Sequence, residues 1–236
     1  DTQDRARGSG ARAVEIKGIN EKIAALLGTA SDQILINDLA VNPLSRKVYL
    51  SVARGRGPDA TPVILRVDGA GKIEEFSLER VKYATVTLLN APSADAKDRR
   101  GQLQRLEAIT DLGYVDGKVL VAGLSNEEFA SKLRAIPFPF READPGASVE
   151  IYHGSHGQLE TFSPVYTFVP YKIDGEPSII ASYLCTPLVK FPVSSLQPGH
   201  KVRGTTIAEF GNNNRPIDMI IYTKDGQDFI LMSNNA

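Results

Sequence analysis

Apolar and polar positions along the chain fall into short runs with β periodicity, and one arrangement of them recurs. Asp38-Leu39-Ala40-Val41 leads through a turn to Lys47-Val48-Tyr49-Leu50-Ser51-Val52, and Asp111 to Val115 leads through Asp116-Gly117 to Lys118 to Ala122. Asp218 to Tyr222 leads through Lys224-Asp225-Gly226 to Phe229 to Ser233. A weaker copy runs from Val165 to Tyr171, through Asp174-Gly175, to Ser178 to Tyr183. Each reads as a hairpin of two apolar strands about a tight turn. More strand material follows: Pro62 to Asp68 and Lys72 to Leu78, then Lys132 to Phe138 and Val149 to Tyr152, then Leu188 to Val193 and Lys201 to Glu209. The later pieces alternate apolar and polar, as outer strands with one wet face do.

Helical periodicity is scarce. Glu21 to Leu27 carries Ile23, Leu26 and Leu27 on one face between Asn20, a potential cap, and Gly28. A second short helix is expected over Asn126 to Arg134, with Glu127 and Glu128 near its positive end. The polar stretch from Ala91 to Arg105 reads as a loop.

Repeated four-stranded units with Gly and Asp turns resemble the blades of a β-propeller. The order Asp, apolar strand, turn, Lys-Val-Tyr-Leu-Ser, then Val67-Asp68 and Gly71-Lys72-Ile73 is similar to blades of the NHL, YVTN or quinoprotein type. The resemblance covers most of residues 30–236 and implies an all-β fold with residues 11–236 as one domain. It implies no particular activity, because propellers host many. Residues 1–10 read as a disordered arm. The alternating segment 11–18 is expected to pair with the last hairpin and close the ring. The alternative is a segment of a larger propeller.

Composition narrows function mainly by exclusion. A net charge of −1 gives no field to draw the chain to nucleic acid or an anionic membrane, and no apolar run approaches the length of a spanning helix. The single cysteine permits no internal disulfide. The start at Asp1 rather than Met reads as the product of signal-peptide removal, so the expected location is periplasmic or secreted, with the cytoplasm as the alternative.

Candidate chemistry is sparse. Asp38, Asp111 and Asp218 each open an inner strand; in a propeller they would face the channel, where carboxylates bind calcium or another metal. The competing reading has each carboxylate capping its own loop through backbone N–H groups. Cys185 is either a reactive thiol or soft-metal ligand, or a small buried side chain. His153-Gly154-Ser155-His156 reads as a solvated turn. Asn212-Asn213-Asn214-Arg215 forms a polar loop at the rim, a candidate ligand contact. Two functions follow: a binding or scaffold protein holding a protein or small molecule at its rim, or a metal- or redox-dependent enzyme with its site in the channel.

Overall fold

The computed structural model describes residues 14–154, 157–184, 187–211 and 214–235. Strands account for 48% of the chain and helices for 10%, and the sheets are antiparallel apart from one short parallel pairing. The chain divides into two compact units, residues 1–82 and 83–236.

The first unit holds helix α1 (Ile19–Leu27) and strands β1 (Ile34–Val41), β2 (Val48–Arg54), β3 (Thr61–Val67) and β4 (Ile73–Glu75). The strands form an antiparallel meander in sequence order. Glycines at both ends of α1 take the left-handed conformation, and the Gly28 N–H closes the helix on the carbonyls of Ala24 and Ala25. Ile23, Ala24 and Leu27 are buried against Leu50, Val52, Leu65 and Val67 of the sheet, whereas Leu26 is exposed. Between β3 and β4, Asp68 Oδ1 accepts from the N–H groups of Ala70 and Lys72 and shapes the turn.

Residues 14–16 form no strand. Ile16 packs against the first unit's core, and a Cβ on Gly71 would lie 3.3 Å from Val14. Among the described residues β15 is the sole partner of the final strand, so the expected pairing of the N-terminal segment there is not found. Residues 11–13 lie outside the described residues.

The second unit contains β5 (Asp111–Val115), β6 (Lys118–Leu124), β7 (Ser131–Pro137), β8 (Ala147–His153), β9 (Gln158–Glu160), β10 (Thr167–Ile173), β11 (Glu176–Ser182) and β12 (Pro187–Pro192). It continues with β13 (Lys201–Arg203), β14 (Thr205–Glu209), β15 (Arg215–Lys224) and β16 (Gln227–Asn235). One sheet has the order β13-β8-β7-β6-β5 with β9 beside β8, a second the order β10-β11-β12-β14, and β15-β16 stands as a hairpin. The expected hairpins all form. Three of them turn on Asp116-Gly117, Asp174-Gly175 and Asp225-Gly226, with positive φ at both residues of each pair, the conformation that matches the twist of the flanking strands.

The expected helix over 126–134 does not form; its second half is β7. A core of Leu120, Leu133, Val149, Ile151, Phe168, Ile179, Val189, Phe191 and Met219 fills the space between sheets, and pairing on both sides of β7 overrides a weak helical signal. The segment 201–209, expected as one strand, is two. Gly204 separates β13, parallel to β8, from β14, antiparallel to β12. A Cβ on Gly204 would lie 2.3 Å from Val189 and 2.6 Å from the Phe191 ring, so the chain crosses between sheets where only glycine fits.

Candidate functional site

Asp111 opens its strand as expected, whereas Asp38 and Asp218 lie within β1 and β15, each just after a register shift. Asp38 pairs with Ser51, Asp111 with Ala122 and Asp218 with Ser233 in their hairpins. In each case Oδ1 accepts the N–H of the following residue, Leu39, Leu112 or Met219, at 2.7 Å. Asp111 Oδ2 also accepts the Phe168 N–H at 2.7 Å. The carboxylate therefore ties the first strand of one sheet to the first strand of the next. Just beside it, Gly113 leaves room for the Phe168 ring, which a Cβ would meet at 2.8 Å. These bonds are the backbone-capping role, extended at Asp111 to a joint between sheets. Among the described residues no group of three or more His, Cys, Asp or Glu side chains is placed to hold a metal ion.

Of the polar rim loop, Asn212 and Asn213 lie outside the described residues, as does Cys185. Asn214 Nδ2 donates to the carbonyls of Phe210 and Gly211. The Arg215 guanidinium lies 5.0 Å from the centre of the Tyr166 ring, and Tyr166 donates to Glu107 Oε1 at 3.3 Å. Burial, then the Glu107 charge, holds the Tyr166 phenol above the ordinary tyrosine range. This arginine–tyrosine–glutamate row stands where β10 and β15 begin.

At the opposite end of the inner strands, beside the β5–β6 turn, lies a cleft of about 160 Å³ lined by Val115, Lys118, Leu120, Pro177, Val193 and Ser194 among others. A row of aromatic rings adjoins the same turn on the other face of the sheet, since Tyr114 alternates with the cleft-lining Val115. Tyr114 meets Phe138 edge-on at 6.4 Å, and Phe138 meets Phe140 edge-on at 5.4 Å. Tyr114 is 64% exposed and Phe138 40%. The Phe138 N–H donates to the Gly117 carbonyl and fixes the row against the turn.

Several buried polar groups had no distinctive signal in the sequence. His153 is not in a solvated turn: it is buried at the end of β8, with Nδ1 3.2 Å from the buried Glu160 carboxylate. Its partner arrives from β9, the strand paired with β8. His156 lies outside the described residues. Lys132 is buried on β7, paired with Glu127 and donating to Ser148 Oγ at 2.8 Å. The Lys132 partner pulls the Glu127 carboxyl below the ordinary range. Arg134, two residues on and on the same face, is 1% exposed. Its three guanidinium nitrogens have no hydrogen-bond partner among the described residues, and burial lowers its pKa against the opposing charges of Asp144 and Glu127. In the sequence, Lys132 and Arg134 alternate with apolar neighbours and so read as the wet face of an outer strand. No family model, curated protein or solved structure matches the chain.

Proposed function

We propose that this chain is an exported binding or scaffold module built from propeller-type sheets, and that it receives a protein partner at the cleft beside the β5–β6 turn. The observation that carries the reading is the size of that cleft at a turn whose other face exposes an aromatic row. Its volume of about 160 Å³ is well below the roughly 300–1,000 Å³ of sites that enclose a whole small molecule. It suits one anchoring side chain. Tyr114 and Phe138, exposed on the other face of the same turn, supply aromatic surface of the kind enriched in protein interfaces, within reach of a partner that wraps the β5 edge. Lys118 and Asp116 at the mouth provide a polar rim.

The candidate catalytic groups support the same choice. Asp111 spends both carboxylate oxygens on backbone N–H groups, and the Glu160 carboxylate faces His153 inside the core. Neither is presented to a substrate. Panning the purified chain against displayed peptides tests the reading. Peptides with a bulky apolar anchor are expected to emerge and to lose binding at least tenfold to a Tyr114→Ser, Phe138→Ser double variant. Binders indifferent to that variant would sink the proposal. One equivalent of metal found by elemental analysis would favour the enzyme reading instead.

A further inference from the structure

Lys132 sits on β7, the central strand of its sheet, opposite Gly123 of β6 and Ser148 of β8, and is 3% exposed. Its ammonium meets one oxygen of the Glu127 carboxylate, Oε2, and donates to Ser148 Oγ at 2.8 Å. The other oxygen, Oε1, accepts from the side-chain amide of Asn90 at 2.5 Å. One carboxylate therefore touches an amine and a primary amide at once. Asn90 is held in place by its backbone as well. Its φ of 55° is the left-handed conformation that asparagine tolerates, and its carbonyl accepts the Asn126 N–H at 2.7 Å. A salt bridge accounts for two of these three groups and leaves the amide unexplained.

We propose that Lys132 and Asn90 join through a self-catalysed isopeptide bond, with Glu127 as the catalytic residue that carries the protons. This inference does not depend on the binding role proposed above. The Lys132 ammonium gives a proton to the Glu127 carboxylate, and the amine lone pair forms the Nζ–Cγ bond at Asn90. Glu127 passes a proton to Nδ2 and takes one from Nζ. The Cγ–Nδ2 bond breaks, and ammonia leaves with the bond's electron pair and collects the last proton from Glu127. An ammonium and a primary amide become a secondary amide and a free ammonium ion, with no oxidation or reduction and with Glu127 returned as carboxylate.

The arrangement favours each step. Glu127 is within hydrogen-bond reach of both the proton it takes and the nitrogen that leaves, as general acid–base catalysis requires. Holding amine and amide on one carboxylate replaces a bimolecular encounter. Asn90 is exposed, so ammonia departs to solvent. The product is also cheaper to bury: the partly exposed Glu127 offsets only part of the cost of a desolvated ammonium, and an amide carries no charge. The Lys132–Glu127 ion pair is the state before reaction, and any pH dependence of the pair belongs to that state. The ring closed by the bond contains β5 and β6 and restricts the unfolded chain as a disulfide does, in a chain whose single cysteine permits no internal disulfide.

Mass spectrometry of the full chain, incubated folded and then denatured, tests this. The expected mass is lower by one ammonia than the sequence requires, and digestion should release a branched peptide joining Asn90 to Lys132. Lys132→Arg keeps a cation for Glu127 but removes the nucleophile, so it should retain the full mass. Glu127→Gln should slow the loss of ammonia at least about 100-fold. Full mass in the unsubstituted chain, or an unslowed Glu127→Gln, overturns the proposal. So does ammonia loss that persists in Lys132→Arg, since an asparagine can also lose ammonia by closing to a succinimide. If either variant misfolds, the branched peptide decides alone, and its absence overturns the proposal.

Discussion

At the residue scale, the informative side chains are polar groups whose partners are backbone or buried. Asp111 holds the Phe168 N–H, and removing the carboxylate leaves that donor without its partner between two sheets. Asp111→Ala is expected to cost about 1–3 kcal/mol in denaturant unfolding; an unchanged midpoint would show that the joint contributes nothing. Arg134 points the other way. A buried guanidinium with no hydrogen-bond partner among the described residues carries its desolvation cost uncompensated, so Arg134→Met should be neutral or stabilising by about 1–4 kcal/mol. Destabilisation by that much would reveal a partner for the guanidinium. Glu127 adds a pH dependence. Its folded pKa is depressed, chiefly by Lys132, so its contribution is present above the unfolded pKa and is lost as pH falls through the folded one. Glu127→Gln should lower stability at neutral pH by about 3 kcal/mol, since it strands a buried ammonium, and should flatten the acid limb of the stability profile. An acid limb as steep as in the unsubstituted chain would remove Glu127 from the account.

At the element scale, hairpins form where the turn chemistry is explicit, and strands change partners where packing demands it. Leu50 on β2 is 2% exposed, and Leu50→Ala is expected to cost about 2–5 kcal/mol. Ile230 occupies an apolar strand of the same appearance, yet at 36% exposure its truncation should cost well under about 1 kcal/mol of stability. The two strands differ in what covers them, which neighbouring residues in sequence do not reveal. Gly204 shows the same dependence: a methyl group there would overlap Val189 and Phe191. Gly204→Ala should destabilise by at least about 1–3 kcal/mol, and a fully tolerated alanine would mean that the crossover between sheets yields to a methyl group.

For the whole molecule, the two units have separate cores, one around Ile23, Leu50 and Leu65, the other around Leu120, Phe168 and Phe191. Units with cores of their own can unfold in separate steps. Calorimetry should resolve two transitions, with Leu50→Ala lowering one and Leu120→Ala the other. A single transition lowered equally by both substitutions would contradict this.

The sequence by itself determined the strand-rich class, the four hairpins, helix α1 and the Asp-Gly turns, because these depend on periodicity and on backbone conformations that a few residues dictate locally. It also contained the backbone-capping role of the aspartates as one of two readings, since Asp beside a strand start readily accepts its neighbour's N–H. Tertiary structure alone decided which apolar strands are covered, that β7 is a strand, that Gly204 is a crossing point, and that Asp111 reaches Phe168. It also buried Lys132, Arg134 and His153. Each of these outcomes depends on a neighbour distant in sequence, and a pattern of period two says which face a residue occupies but not what lies against that face.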